Sequence, residues 1–522
     1  MRVKDKRKFL RFLFILGLLI FTISCGMKKF VMKNEEEPQM VKEEIQVDML
    51  SKATTPVEVP QKKDEVIKED KKEVVEVATK KEIKKSVDIP KKEYFFIKNN
   101  VLYVYSDDNQ TKKIDSVRKG TRVELLDTKE VKNGETTKNV NKIRYKKDLK
   151  VKEGWIGDVT FAKNLNETLP SKWGNLDFEN TYPLKNYENN PRIDVKGVYL
   201  NIYSIGSEKK LAKLIKLAND TEINAFVIDV KDDNGVLAFQ MEAPKKFGVP
   251  VTKNYPIKDI NAFMKKMKEN KIYTIARIVS FKDPTYAKAN PDKAIIKRDT
   301  GKPYTNSDGI IWVSAHDRKL WDYNVSVAEE AAKVGFNEIQ FDYVRFPASN
   351  GGKLDSKLNY RNTQNESKPE TIQKYLKYAK KRLDPLQVYI SADVYGQVGT
   401  FKDDMGLGQH WETVSQVVDY ISPMMYPSHY GKGAYGIAVP DAKPYETIYY
   451  SLKDSINRNE NIDNPSIIRP WIQDFTATWV KGYIRYREKE VREQIKAMND
   501  LGVKEYLLWS PSNNYNISRA EK

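Results

Sequence analysis

From residue 191 to the C-terminus the chain alternates two kinds of segment: short runs of branched and aromatic residues, and stretches whose apolar residues recur at helical spacing. The eight strand-like runs lie at 197–204, 225–232, 273–281, 338–346, 388–396, 420–428, 466–475 and 505–512. Between them stand amphipathic stretches such as SEKKLAKLIKLAND, IKDINAFMKKMKEN, LWDYNVSVAEEAAKVG, TIQKYLKYAKKRL and EKEVREQIKAMNDLG. Parallel strands need a crossover and helices supply it, so this rhythm predicts an α/β fold, a (β/α)8 TIM barrel over 191–522. The link between the third and fourth runs, residues 282–315, exceeds ordinary loop length and holds Tyr286, Tyr304 and Trp312. Two readings of it stay open: an aromatic wall of a substrate cleft, or an insertion that stabilises the barrel.

In such a barrel side chains alternate between lumen and helix layer, and the active site forms where the strands end. The fourth run, EIQFDYVRFP, raises a question at Asp342, because a carboxylate buried among Ile, Phe, Tyr and Val is costly unless paired. Parity sets Gln340, Asp342 and Val344 against Phe341 and Tyr343. In the fifth run it groups Tyr389, Ser391, Asp393 and Tyr395 against Ile390, Ala392 and Val394, and in the second it groups Asp229 with Lys231. Asn201 and Tyr203 from the first run, Arg469 from the seventh and residues of the remaining runs add polar and aromatic groups to the same rim. Such a rim fits a carbohydrate, since aromatic faces cover sugar C–H surfaces while polar groups bond hydroxyls. The candidate substrate-binding residues are accordingly Asp229, Lys231, Tyr203, Arg277, Tyr426, Trp471, Gln473, Asp474 and Trp509.

Glycosidic cleavage needs one carboxylic acid to protonate the leaving oxygen and one carboxylate as nucleophile or base. Asp342 and Asp393 are the candidate catalytic pair, both near the ends of adjacent strands. Neighbouring strands lie about 4.8 Å apart, close to the roughly 5 to 5.5 Å between carboxyls of a retaining enzyme. Proximity would also push their proton affinities apart. The competing reading makes each aspartate a helix cap or loop anchor, and for Asp229 and Asp474 the competing partners are Lys231 and loop amides. Arg345, His316, His410 and His429 read as structural or peripheral. The GKGAYG stretch after His429 lacks the GK[ST] ending of a phosphate loop.

The N-terminal part is different in kind. A basic start, MRVKDKRK, precedes the apolar run Phe12 to Ile23 and then Ser24, Cys25 and Gly26. The run is shorter than the roughly 20 residues of a spanning helix, so residues 1–24 have a signal-peptide layout. ISCG resembles a bacterial lipobox, which implies cleavage before Cys25 and lipidation of its sulfur; Thr22 departs from that pattern, where leucine is usual. An uncleaved membrane anchor is the alternative, and both readings put the remainder in the cell envelope, facing the periplasm or exterior. Cys25 is the only cysteine and there are three histidines, so no disulfide, metal site or cofactor is expected, with a calcium on loop carboxylates left open. Residues 25–92 are dominated by Lys, Glu and Val and predict a disordered tether. Much of the formal charge of +18 lies in such mixed tracts, and no recognition motif points to nucleic acid. Residues 93–165 carry short β-type runs between turn residues. VLYVYSDDN, RKGTRVELL and GWIG resemble a bacterial Src homology 3-like domain, which implies a small all-β barrel that binds wall peptides or packs on its neighbour.

GVYLNIYS, VIDVKDDNG, IARIVSFKD, LWDYNVSVAEEAAKVGFNEIQFDYVRFP, ISADVYG, ISPMMYPSHY and PWIQDF together resemble the putative glycosyl hydrolase domain family, a bacterial TIM-barrel group distantly related to the α-amylase clan. The resemblance implies an enzyme acting on polysaccharide, with Asp342 as nucleophile and Asp393 as acid/base; a polysaccharide or peptidoglycan-type glycan is the expected partner, and the expected state is a monomer. The related clan often has Glu at the second position. Two other readings stay open: a non-catalytic glycan- or wall-binding lipoprotein, and a barrel in which the substrate's acetamido group attacks with help from Tyr426, though the DxxDxDxE run of that group is absent.

Overall fold

The computed structural model describes residues 93–518 except 134, 135, 175 and 351. The expected signal peptide at 1–24, Cys25 and the expected tether at 25–92 lie outside the described residues. Residues 94–162 form an antiparallel sheet of seven strands, β1 (Tyr94–Ile97), β2 (Val101–Tyr105), β3 (Lys113–Arg118), β4 (Arg122–Asn133), β5 (Thr136–Lys147), β6 (Lys150–Gly157) and β7 (Phe161–Ala162), ordered β3-β2-β6-β5-β4-β1-β7. Its own core is Ile97, Val104, Val117, Val123, Ile143, Tyr145 and Ile156. The glycine of GWIG is required there: a Cβ on Gly154 would collide with the Val104 side chain.

The second body is a closed barrel of eight parallel strand positions wrapped by helices. Its strands are β8 (Lys196–Leu200), β9 (Ala225–Lys231), β10 (Tyr273–Val279), β12 (Glu338–Asp342), β14 (Tyr389–Tyr395), β15 (Tyr420–Met424), the split pair β16 (Ile467–Ile468) and β17 (Trp471–Gln473), and β18 (Tyr506–Trp509). Two further short strands, β11 (Ile296–Lys297) and β13 (Leu358–Asn359), make a separate ribbon. Pairing of β18 with β8 and of β14 with β15 closes the ring. The principal helices are α1 (Glu208–Asp220), α2 (Ile260–Glu269), α3 (Arg318–Lys333), α4 (Lys368–Leu383), α5 (Pro444–Asn459) and α6 (Glu488–Asp500). Ser207, Asp259, Asp317 and Ser367 start four of them, each accepting from the backbone N–H three residues on. The β1–β7 sheet touches the α5 region through Arg122 Nη1, 2.7 Å from Asp463 Oδ1, and through the Asp148 N–H, 2.7 Å from Asn457 Oδ1.

Three strands end differently from their sequence pattern. β8 stops at Leu200, and Asn201 then caps a short helical turn, Ile202–Ile205. This carries Tyr203 away from the lumen, where it is 78 % exposed. β12 stops at Asp342 because Tyr343 takes a left-handed φ of 47°. Pro470, which has no N–H to give the ladder, separates β16 from β17. The long link between β10 and α3 is a stabilising insertion: Tyr286, Tyr304 and Trp312 are all buried rather than lining a cleft.

The lumen is polar at its floor. Arg469 Nη1 donates to both oxygens of Glu338 at 2.9 and 2.8 Å, and its Nε to Glu505 at 2.8 Å. Ser391 and Tyr273 also donate to Glu338, and the Arg469 guanidinium lies 3.6 Å from the Tyr420 ring centre. No helix among the described residues is long and apolar enough to cross a membrane.

Candidate active site

Strand register decides which side chains meet above that floor. Asp229 pairs in register with Arg277, and Val279 with Asp342. On the other side of β12, Gln340 pairs with Ser391 and Phe341 with Ala392, so one further step sets Asp342 beside Asp393. Asp229, Arg277, Asp342 and Asp393 are all buried.

Arg277 joins two of these carboxylates. Its Nη1 donates to Asp229 Oδ1 at 2.5 Å, while its Nε and Nη2 both donate to Asp342 Oδ2, at 2.9 and 2.6 Å. The other oxygen of Asp342 accepts the N–H of Tyr343 at 2.5 Å. That contact depends on the left-handed turn at Tyr343, a conformation that costs an L residue roughly 1–2 kcal/mol. Strain of this kind persists only where the surroundings over-determine it. Asp229 Oδ2 accepts the Tyr199 hydroxyl at 2.6 Å. Burial raises Asp229, opposed by Arg277 and Tyr199.

Among the described residues Asp393 has no ion pair. Its Oδ1 accepts the Trp471 indole N–H at 2.7 Å. Burial first, and the neighbouring Asp342 carboxylate second, push its carboxyl well above the ordinary aspartate range. The two aspartates therefore occupy opposite environments: one holds two charge-assisted hydrogen bonds from a guanidinium, the other an indole and a like charge. A third acid, Asp232, is pushed up to about 7 by burial and by Asp229, and its Oδ1 accepts the N–H groups of Asn234 and Val236.

Aromatic rings complete the mouth. Tyr199 and Trp509 stack with centres 4.1 Å apart, and Trp471 meets Trp509 edge-on at 5.6 Å. Tyr426 stands 6.5 Å from Trp509.

Several predicted site residues are elsewhere. Lys231 does not share the face of Asp229, because a bulge opposite Arg277 and Ile278 turns it out of the lumen. There it is fully buried, 2.7 Å from Asp283 and bonded to Asn324 of α3 and the Val279 carbonyl. Tyr203 is on the exposed turn already described. Gln473 is consumed by the loops around it: Nε2 donates to Asp441 and to the Phe475 carbonyl, and Oε1 accepts the Ser428 N–H. Asp474 anchors the C-terminal segment through Asn516 and is pushed up to about 6 by burial. Arg277 gives Nε, Nη1 and Nη2 to Asp229 and Asp342, and Trp471 reaches the site through Asp393. Tyr199 was missed; its parity with Asn201 and Tyr203 in the first run was the available signal. Among the described residues no cluster of His, Cys, Asp and Glu could hold a metal ion.

Surface grooves of about 570 and 600 Å³ lie away from these carboxylates, one beside Tyr182 and Lys377 and one beside Glu222 and Arg492. Neither contains a residue of the lumen set.

A family model described as a putative glycosyl hydrolase domain matches residues 197–515. Among solved structures, a hypothetical protein from Ruminiclostridium thermocellum is similar at 33% identity over 38% of this chain and 97% of that one, with a TM-score of 0.33. The glycoside hydrolase domain of PgaB (BpsB) from Bordetella bronchiseptica is similar at 12% identity, over 60% and 94% of the two chains, with a TM-score of 0.43. The α-galactosidase TtGalA from Thermus thermophilus, in complex with stachyose, is similar at 12% identity, over 75% and 73%, with a TM-score of 0.39. No curated protein matches the chain.

The environment of Asp393 makes a stability prediction. Its folded-state value stands above the ordinary 3.8, so the folded protein keeps a proton that the unfolded chain releases. That contribution weakens as pH climbs from about the unfolded value towards the folded one. Asp393→Asn keeps an oxygen for Trp471 and removes the titration. The melting temperature of the variant, relative to the parent, should rise between pH 4 and pH 8; an unchanged difference would contradict the assignment.

Proposed function

The chain belongs to the putative glycosyl hydrolase domain family, and from that premise we propose that its barrel hydrolyses O-glycosidic bonds of a polysaccharide or cell-wall glycan. Asp342 is the nucleophile and Asp393 the acid/base. The observation that carries this reading is the unequal treatment of two neighbouring aspartates: the Arg277 guanidinium bonds Asp342, while burial and the neighbouring Asp342 push the Asp393 carboxyl well above the ordinary aspartate range.

In the first step Asp393 protonates the leaving glycosidic oxygen as Asp342 attacks the anomeric carbon. Oδ1 of Asp342 carries one donor and Oδ2 two, so Oδ1 has the more available lone pair. A glycosyl ester forms and the leaving sugar departs with the proton. Asp393, now a carboxylate, then takes a proton from water, which attacks the anomeric carbon and frees Asp342. Arg277 steadies Asp342 as nucleophile and as leaving group. Adjacent strands about 4.8 Å apart suit a retaining pair, for which the carboxyls stand roughly 5 to 5.5 Å apart.

Asp342→Asn should lower reducing-end release from the cleaved glycan by about a thousandfold or more, on the scale of losing an essential catalytic group. Full activity in that variant would sink the proposal. The rate should fall as pH rises and Asp393 loses its proton, and the fall should vanish in the first step for an aryl glycoside whose leaving group needs no protonation.

The segment ISCG motivates the further proposal that Cys25 is lipidated, tethering the barrel to the outer side of a membrane. Metabolic labelling with palmitate should mark the parent and leave Cys25→Ser unlabelled; equal labelling would refute it. The contacts of Arg122 and Asp148 with the α5 region favour a packing role for the β1–β7 sheet, the Src homology 3-like part of the sequence pattern.

A further inference from the structure

The aromatic groups of the mouth do not stop at Tyr426. Tyr426 meets Phe475 edge-on at 5.9 Å, and Phe475 lies nearly parallel to Trp479, with centres 6.1 Å apart and planes inclined by 19°. The row Trp471, Trp509, Tyr426, Phe475, Trp479 therefore starts at the indole bonded to Asp393 and leads out along the loop after β17. Exposure is greatest at its outer end. Trp471 and Tyr426 are buried, Trp509 and Phe475 half-buried, and Trp479 is 45 % exposed, with Tyr483 of the same loop at 44 %.

The loop that presents Trp479 is braced rather than slack. Asp441 accepts from Gln473 Nε2 at 3.0 Å at one end and from the Ile484 N–H at 3.3 Å at the other. Tyr486 ties both again, through its hydroxyl to the Asp441 carbonyl and its N–H to Thr476 Oγ1, each at 3.0 Å. A large aromatic surface held open to water on a fixed loop marks a binding platform, since no described residue covers it. Thr478 and Lys481, both exposed, flank it with polar groups suited to hydroxyls.

We infer that Trp479, backed by Phe475, is a distal sugar-binding platform that makes the site selective for a polymer several pyranose units long. The ring face of Trp479 covers the C–H face of a sugar away from the cleaved bond, and Gln473 and Asp441 are positioning residues for it. The inference rests on the glycosidase reading of the same mouth. Continuity with the Asp393 side of the lumen favours a glycan over a second copy of the chain.

Binding separates the two readings because it needs no turnover. In an Asp342→Asn background, ligand-observed NMR would compare the hexamer and the dimer of β-1,4-linked N-acetylglucosamine. The hexamer should bind more tightly than the dimer. W479A should weaken the hexamer by about tenfold in Kd, equivalent to about 1.4 kcal/mol, leave the dimer unchanged, and be rescued by W479F. Hexamer binding no tighter than dimer binding, or unaffected by W479A, would overturn the inference. So would concentration-dependent self-association that W479A abolishes. Length-dependent binding without hydrolysis by the parent leaves the platform standing while the catalytic proposal falls.

Discussion

The Arg277 guanidinium, buried between Asp229 and Asp342, is the interaction on which the mouth of the barrel depends. Taking three charges out of water is costly, and the arrangement is stable only because each has a partner at hydrogen-bonding distance. Tyr199 closes one end by donating to Asp229, and the left-handed Tyr343 closes the other by turning its N–H onto Asp342. The geometry of three adjacent strands then becomes one electrostatic unit. Asp393, one strand further on, lies outside it; burial and the field of Asp342 outweigh the more distant pull of Arg277 and the Trp471 indole. This asymmetry is what two aspartates need in order to do different work.

The same logic runs through the lower lumen. Glu338, Arg469 and Glu505 pair across strands that are far apart in sequence, so the barrel interior is tied by directional contacts as well as by apolar packing. Such contacts hold the register, and register is what brings Asp342 level with Asp393. The outer aromatic row follows from the loop after β17, where Asp441, Phe475 and Ser428 together consume the two polar groups of Gln473 that a substrate would otherwise meet.

The barrel was legible because its signals are local. Alternating strand and helix periods found all eight strand positions, and parity put Asp342 and Asp393 on the lumen face. Parity failed wherever one residue changed the local geometry. A single extra residue on β9 turned Lys231 to α3, and the cap at Asn201 ended β8 before Tyr203. The true partners of Asp342 were not legible either. Arg345 is its neighbour in sequence, yet Arg277 neutralises it across the sheet, a contact between residues 65 apart. Gln473 and Asp474 looked like site residues from their position at a strand end, but long-range loops at Asp441 and Asn516 claim them. Burial of Tyr286 and Trp312 likewise depends on how a long loop folds back, which composition does not encode.

The central claim is that burial and the neighbouring Asp342 hold a proton on Asp393 above the ordinary aspartate range. Carbon-13 NMR of aspartate carboxyls over a pH titration, with the Asp393 resonance assigned through Asp393→Asn, measures this directly. The account predicts that the Asp393 carboxyl titrates well above the ordinary aspartate value of 3.8. Titration at or below that value would contradict it.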